Sequence, residues 1–399
     1  MEVYSNVTIE TMSLHKNIRL LAWFNFFLDL RLYAPVAIIY FSRVTGSYAL
    51  GMSVFSVAML ALAFFEVPTG VFSDMIGRKK TVIIGAVASL LSVILYAWGK
   101  GYLMLLGGAM LEGLARSFYS GNNDSLLHDT LLESKQTKQY AEYKGKTDSV
   151  AQIALGIAAV VGAIVAHWSF AWVMWLSVLP ALMGLRVSFS LIEPRIYEKE
   201  SGNIYAHLKK AINGFIHNKK LRMLSLSSVI GYAGGESGYQ FRSAFIQTLW
   251  PIWAIGISKA LSNIGATISF YFSGKLIKKY GEYKLWITGK SYALVVNTIS
   301  LAFPSVASPL IMATTSVFFG TSTVVSNTLK QYEYTQEQRS TMSSLDSLLG
   351  SVAFAIVSFS LGLAADLLTP AKALLSLQVL AIISLSILWS LFRKGRDTC

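Results

Sequence analysis

The organisation of this 399-residue chain follows from one polar stretch, Glu66-Val67-Pro68-Thr69-Gly70-Val71-Phe72-Ser73-Asp74-Met75-Ile76-Gly77-Arg78-Lys79-Lys80. It contains two glycines and three consecutive cations, yet apolar runs flank it at 49–69 and 81–99. Each run is long enough to cross a bilayer, which takes about 20 helical residues. The stretch is therefore predicted to be a tight hairpin at one face of a membrane.

Composition indicates that the whole chain is a membrane protein. Hydrophobic residues make up 54% of it and charged residues 14%. The net charge of +13 comes from Lys and Arg placed between apolar runs, which argues against nucleic acid as a partner. The lipid bilayer is the expected partner of such a chain, and the chain is expected to be a monomer.

Apolar runs of spanning length predict an all-α membrane protein with twelve transmembrane helices. They lie at 18–41, 49–69, 81–99, 102–121, 147–167, 168–190, 223–249, 252–273, 285–303, 308–328, 343–366 and 371–392. Between these runs, 25 of the 34 Lys and Arg residues fall on one side and three, Arg43, Lys100 and Lys372, on the other. The positive-inside rule then predicts a multi-pass protein of the cell membrane with both termini in the cytoplasm.

An internal repeat divides the chain. Gly274 and Gly281 lie 204 residues after Gly70 and Gly77, with the same spacing and the same place between a second and a third helix. One duplication of six helices is typical of pseudo-symmetric transporters. We expect an N-terminal six-helix bundle at 1–190, a cytoplasmic linker at 191–222 and a C-terminal six-helix bundle at 223–399.

The opening stretch resembles the loop motif of the major facilitator superfamily, G-x-x-x-D-x-x-G-R-[KR]-[KR]. The resemblance implies that superfamily's fold, alternating access, and a loop that locks the cytoplasmic side. In such a lock Asp74 would face the helix start near Ser343, and Arg78 would pair with Asp129 or, alternatively, Asp124. Asp346, about one turn from the cytoplasmic side, is a further candidate. The predicted gate comprises Gly70, Asp74, Gly77, Arg78, Asp129 and Asp346.

The chain departs from the superfamily's patterns in three places. Ala109 stands where the helix-four arginine is expected, so Arg116 would be a displaced substitute. No proline lies between Gly156 and Gly162, unlike many drug/proton antiporters. The second loop has Lys278 where the first has its aspartate, which predicts an asymmetric gate.

Ionisable residues inside the helices point to the transport path, because each costs at least ~2.5 kcal/mol near the bilayer centre unless it faces a cavity or a partner. Asp29 and Arg31 in helix one are two residues apart and point in different directions, with Asp29 favoured as cavity-facing and a structural pair as the alternative. Glu112 and Arg116 in helix four share a face. They either neutralise each other or make Glu112 a proton-responsive carboxylate.

Helix seven is dense in glycine between Gly231 and Gly238, which predicts a break of the kind that lines substrate sites. Glu236 there is the strongest candidate for substrate or proton binding, with an ion pair to Arg242 as the alternative. Lys259 and Lys290 are expected to snorkel to the interface. The predicted substrate and proton site comprises Asp29, Arg31, Glu112, Arg116, Tyr232, Glu236, Tyr239 and Gln240.

The function expected from these features is transport without an enzymatic step or a cofactor. The sequence has no phosphate-binding loop for ATP and no nucleophile elbow. The family implies proton-coupled efflux of an amphipathic small molecule or drug. The alternatives are uptake of a small polar nutrient, which predicts polar side chains converging from helices one, four and seven, or a lipid flippase or non-transporting receptor on the same scaffold.

Overall fold

The computed structural model describes residues 2–120, 122–194, 215–334 and 339–396, and within these ranges it contains helices and no strand. The predicted all-α class is confirmed. The helices are α1 (Glu2–Asp29), α2 (Ala37–Thr45), α3 (Tyr48–Ile76), α4 (Arg78–Trp98), α5 (Tyr102–Tyr119), α6 (Asn122–Glu133), α7 (Tyr140–Trp168), α8 (Phe170–Leu176), α9 (Val178–Ser190), α10 (Lys219–Gln247), α11 (Ile252–Tyr280), α12 (Glu282–Ala302), α13 (Ser308–Ala313), α14 (Phe319–Glu333), α15 (Arg339–Leu367), α16 (Pro370–Ser376) and α17 (Gln378–Arg396).

Eight helical segments of the described ranges are long and apolar enough to cross a membrane. The predicted spans at 102–121, 223–249, 252–273 and 285–303 are helical too, as α5, α10, α11 and α12, but are not among these eight. The protein is thus multi-pass, and the count of twelve stays a prediction.

The chain forms two compact units. Unit one contains residues 1–35 and 57–200, and unit two contains residues 36–56 and 201–399. The division predicted from the repeat places 36–56 in the first half, and that division stays a prediction. Most of the predicted linker, residues 195–214, lies outside the described residues.

Glycines let the helices of unit one approach closely. α1 packs on α7 and α9, and α4 packs on α5 and α9. A Cβ at Gly108 would lie 2.7 Å from the Tyr96 ring, and one at Gly113 would lie 2.3 Å from the carbonyl oxygen of Ala58. Close approach through small residues is how membrane helices gain packing energy without a hydrophobic driving force.

Helix one of the sequence prediction is interrupted within its predicted run at 18–41, although residues 16–45 together are long and apolar enough to cross a membrane. α1 ends at Asp29 and α2 begins at Ala37. Pro35 disfavours helical geometry in the residue before it and lacks an N–H, which accounts for the interruption. The broken stretch lies against α7, where a Cβ at Gly162 would be 1.8 Å from the carbonyl oxygen of Leu32.

In unit two, α10 runs unbroken from Lys219 to Gln247, so the predicted break in helix seven is wrong. The glycines instead make room for neighbouring helices. A Cβ at Gly231 would lie 2.5 Å from Lys290 Nζ, and one at Gly238 would lie 3.4 Å from the Leu377 side chain. Packing on α15 and α17 stabilises the helix despite its low intrinsic propensity.

Segment 36–56 is held in unit two by the end of α15. Asp366 accepts hydrogen bonds from the Ser47 hydroxyl (2.5 Å) and from the backbone N–H groups of Tyr48 (2.6 Å) and Ala49 (3.0 Å). The carboxylate therefore caps the start of α3, where unpaired N–H groups and the helix dipole favour a negative charge. A Cβ at Gly362 would lie 2.5 Å from Ala49 Cα, so glycine is needed for this contact.

The two repeat loops share their backbone geometry. Gly77 precedes α4 with φ +98°, and Gly281 precedes α12 with φ +81°. Left-handed φ values of this kind favour glycine because it has no Cβ. The match supports the duplication read from the sequence.

Gly162→Ala is expected to lower the thermal unfolding midpoint of the purified protein in detergent. Its Cβ would overlap the backbone of Leu32, and overpacking of this kind costs about 1–3 kcal/mol. Gly156→Ala, on the same helix but with no atom within 4 Å of the new Cβ, is the matched control. It should keep or slightly raise the midpoint, and equal midpoints for the two variants would contradict the proposed contact.

Candidate functional site

Glu112 lies at the centre of a polar cluster in unit one. Arg31 Nη1 is 2.5 Å from Glu112 Oε1, and the Tyr96 hydroxyl donates to Glu112 Oε2 at 2.9 Å. Arg31 Nε also donates to the carbonyl oxygen of Leu28 at 3.1 Å. Both carboxylate oxygens are thus occupied.

The partner of Glu112 is therefore Arg31 and not Arg116, although Arg116 shares its helix face. The break in helix one gives the physical reason, because it frees Arg31 from a regular helix and lets it reach α5. Neutralisation of Glu112 by Arg116, one of the two sequence interpretations, is not what the structure shows.

Asp29 is the last residue of α1, directly before the break, and its carboxylate makes no hydrogen bond or ion pair with any residue in the described ranges. The charges that act on it are those of Arg31, Arg116 and Asp148. The alternative of a structural pair between Asp29 and Arg31 is not observed, since Arg31 is engaged by Glu112. Of the two carboxylates in this cluster, that of Glu112 is bound by two donors, whereas that of Asp29 has no direct partner among the described residues.

A cavity of about 20 Å³ lies beside Arg31 in unit one. Phe24, Phe27 and Ser89 are among its lining residues, as is Tyr119, whose buried hydroxyl has no hydrogen-bond partner among the described residues. This volume admits about one water molecule. It is too small for an organic solute.

In unit two, Glu236 accepts a hydrogen bond from Gln240 Nε2 at 2.8 Å. The alternative ion pair between Glu236 and Arg242 is not formed among the described residues. Tyr232, also predicted here, is 41% exposed and packs against Phe354 with ring centroids 6.4 Å apart. Glu236 is therefore held by a neutral amide.

Lys259 is enclosed in unit two, so the prediction that it snorkels is wrong. Its side chain is 4% exposed. Its ammonium lies 2.6 Å from the carbonyl oxygen of Tyr239 and 3.5 Å from the centre of that ring. Lys290 is also engaged inside the unit, where it donates to the Ser384 hydroxyl at 2.6 Å.

Asp346, a predicted gate residue, is bound within unit two. Lys330 Nζ is 2.5 Å from one of its carboxylate oxygens, and the Ser225 hydroxyl donates to the other. Lys330 also donates to Ser228 at 3.2 Å. Lys330 is thus buried in the last turn of α14. The sequence predicts it in the loop after that helix.

Arg78, directly after the loop between α3 and α4, forms the predicted ion pair with Asp129 of α6. The distance from Arg78 Nε to Asp129 Oδ2 is 3.3 Å. Asp124, the alternative, instead pairs with Lys144 at 2.9 Å. Arg78 Nη1 also donates to the Ser73 hydroxyl at 3.0 Å. α6 positions Asp129 by burying Leu126, Leu127 and Leu131 in the core of unit one.

Sequence reasoning missed Glu193 at this loop. Its carboxylate accepts from the backbone N–H of Arg78 (2.7 Å) and of Lys79 (2.6 Å) and so caps α4. A Cβ at Gly77 would lie 2.6 Å from it. The sequence feature that could have identified Glu193 is its position directly after the sixth predicted helix, where it is followed by Pro194.

Two gate predictions are untested. Gly70 and Asp74 belong to α3, but their side-chain surroundings lie outside what the structure describes. The expected contact of Asp74 near Ser343 stays a prediction.

Comparison with known proteins decides the family. Residues 20–358 match the sequence profile described as Major Facilitator Superfamily. The chain belongs to this superfamily. Its fold is a transporter fold, and superfamily members are generally not enzymes. No functionally curated protein matches the chain.

Solved structures of other members have the same fold. A mutant form of the nucleoside transporter NupG matches with a TM-score of 0.83 at 11% identity, over 95% of this chain and 100% of that one. A bacterial homologue of the human lysosomal transporter Spinster gives 0.75 at 13%, over 96% and 97%. The POT family transporter PepTSo gives 0.74 at 10%, over 96% and 99%. At these identities the likeness establishes the fold alone.

Glu112→Gln is expected to destabilise this superfamily member by about 3 kcal/mol, because it leaves the Arg31 guanidinium without its counter-charge. The value is at the low end for a buried pair, since the two side chains keep 22% and 17% exposure. Tyr96→Phe removes one hydrogen bond and should cost about 1 kcal/mol.

Thermal unfolding in detergent would order these variants. The double variant Arg31→Gln with Glu112→Gln should recover part of the loss because no charge is left unpaired. Equal midpoints for Glu112→Gln and Tyr96→Phe would show that the ion pair contributes nothing.

Proposed function

We propose that this chain is a secondary transporter that takes up a small polar solute by alternating access, driven by protons. The observation that carries the proposal is the convergence of polar side chains from helices one and three on Glu112 of helix four. Arg31 and Tyr96 bind its two oxygens, and Asp29 lies two residues before Arg31. Ionisable groups inside membrane helices mark solute and ion paths, and broken helices such as helix one line them.

Asp29 and Glu236 are the proposed proton sites. Glu112 has a charged donor on one carboxylate oxygen and a hydroxyl donor on the other, so both oxygens are already engaged. Asp29 has no such partner in the described residues, and Glu236 has only the amide of Gln240. A carboxylate without a permanent counter-charge can gain and lose a proton more readily during a transport cycle.

The polar nature of the solute is supported by two further observations. Convergence from helices one and four is what the uptake hypothesis predicts within unit one. The names of two structural neighbours, a nucleoside transporter and a peptide transporter, also refer to polar solutes.

Efflux of an amphipathic solute is the second candidate, and one observation favours it. Trp23, Phe26 and Phe27 form an aromatic cluster on α1 with ring centroids 5.4–5.8 Å apart. Trp23 is 48% exposed, so the cluster offers an apolar surface next to Asn25 and the break. Such a surface suits an aromatic or amphipathic molecule.

We infer that the loop between α3 and α4 is the cytoplasmic gate, as the superfamily motif implies. Arg78 is joined to Asp129 and Ser73, and Glu193 caps the helix that Arg78 begins. The Lys330–Asp346 pair is the corresponding candidate in unit two. Charge-assisted contacts of this kind are strong when closed and can be replaced by water when opened.

Proteoliposomes with an acidic exterior test the coupling. The wild type should accumulate a polar solute, such as a labelled nucleoside or dipeptide, only while the pH gradient lasts. Asp29→Asn and Glu236→Gln should abolish this accumulation yet retain solute exchange without a gradient, since each variant mimics a permanently protonated carboxyl. Glu142→Gln, which changes an exposed carboxylate paired with Lys146, is the control and should accumulate normally.

Undiminished accumulation in both carboxylate variants would show that these two residues do not couple transport to protons. Gradient-driven extrusion of an amphipathic dye with no uptake of polar solutes would favour the efflux candidate. Specific ligand binding with no flux in either direction would indicate a receptor.

A further inference from the structure

Unit two holds more positive charge inside its helices than its carboxylates neutralise. Within α10, α11 and α12, the spanning parts carry Arg242, Lys259 and Lys290 against one carboxylate, Glu236. None of the three cations has a carboxylate within ion-pair distance among the described residues. In unit one, by contrast, helices one and four carry as many acids, Asp29 and Glu112, as arginines, Arg31 and Arg116.

Arg242 has an unsatisfied donor. Its Nε–H is buried and has no hydrogen-bond partner in the described ranges, while the side chain as a whole keeps part of its exposure. A guanidinium is always charged and presents its donors as a rigid planar fork. Buried donors are nearly always paired in native proteins, so an unpaired one calls for a partner.

Lys259 lies beside Arg242. Its ammonium contacts the carbonyl oxygen and the ring of Tyr239, which precedes Arg242 by three residues on the same face of α10. The charge of Arg242 acts on Lys259, and so, less strongly, does the opposite charge of Glu236, which makes no direct contact with it. These contacts supply a dipole and an aromatic face but no negative charge.

The same face of α10 has free space at Gly235, about 10 Å from Arg242 along the helix axis. Gly235, Tyr239 and Arg242 follow one another at i, i+4 and i+7, which aligns them along one side of the helix. A Cβ at Gly235 would have no atom within 4 Å. Room for a ligand group thus lies one turn from Tyr239.

We propose that Arg242 and Lys259 bind an anionic group of the transported solute, a carboxylate or a phosphate. This inference rests on the proposed transport function and specifies its substrate class. The arginine fork matches either group in two parallel hydrogen bonds, and Lys259 supplies a second charge. Binding of the anion satisfies Nε of Arg242 and relieves the repulsion between the two cations. Glu236, about 9 Å further along the helix axis, remains available for a proton.

Matched probes on one benzene ring test the charge requirement. Benzoate, phenyl phosphate, benzamide and benzylamine are added to the full-length protein in detergent, and the thermal unfolding midpoint is measured. The anions should raise the midpoint in a concentration-dependent way, because they bind the folded state. Benzoate alone would identify a carboxylate solute and phenyl phosphate alone a phosphate solute. No effect of either anion, or an equal effect of benzamide, would overturn the proposal.

Variants separate a binding role from a structural one. Arg242→Gln and Lys259→Met should abolish the effect of the anions and should keep or raise the midpoint of the ligand-free protein, since each removes a charge that nothing neutralises. Lys330→Met is the matched control, because Lys330 is 6% exposed and Lys259 4%, but Lys330 is paired with Asp346. It should lower the ligand-free midpoint and retain the effect of the anions. A drop in the ligand-free midpoint for Arg242→Gln with the anion effect intact would show that Arg242 is structural.

Flux measurements separate this inference from the transport proposal. If anions stabilise the wild type but no solute crosses the membrane under any gradient, the site stands and the transport proposal fails. If a neutral solute accumulates equally in the wild type and in Arg242→Gln, transport stands and the anion site fails.

Discussion

The ion pair between Arg31 and Glu112 joins helix one to helix four at the point where helix one loses its regular backbone hydrogen bonds. Pro35 interrupts the helix, Gly162 lets the interrupted stretch approach α7, and the freed Arg31 reaches a carboxylate on α5. In an apolar medium neither charge is tolerable without the other. The break and the pair therefore depend on each other, and the polar centre of unit one is arranged around both.

The two units manage buried charge in different ways. In unit one the acids and arginines inside helices one and four are equal in number, but the Asp29 carboxylate has no direct partner among the described residues. Unit two neutralises Lys330 with Asp346, while it surrounds Lys259 with a carbonyl group and an aromatic ring. Because membrane insertion selects against uncompensated charge, groups that remain unpaired in a folded membrane protein are the ones that function is expected to require. The two units thus differ in the chemistry inside their helices.

Two carboxylates cap helix starts at loops. Glu193 receives the first N–H groups of α4 in unit one, and Asp366 receives those of α3 in unit two. In both cases a glycine at the contact has no room for a Cβ, at Gly77 and at Gly362. A capping carboxylate is bound by hydrogen bonds and by the helix dipole, so it fixes a helix end in place without a counter-ion. The contact made by Asp366 also explains why residues 36–56 group with unit two.

The features that depend on neighbouring residues along the chain could be predicted from the sequence. Hydrophobic run length established the all-α membrane class, and residues 66–80 indicated the superfamily. The choice of Asp129 as partner for Arg78 came from that same motif. Tertiary structure alone decided the contacts between distant residues: Arg31 with Glu112 across 81 positions, Arg78 with Glu193 across 115, and Ser47 with Asp366 across 319. It also decided that α10 continues unbroken through its glycines, which make room for neighbouring side chains. The sequence shows where a Cβ is missing, but only the folded structure shows which atom occupies that space.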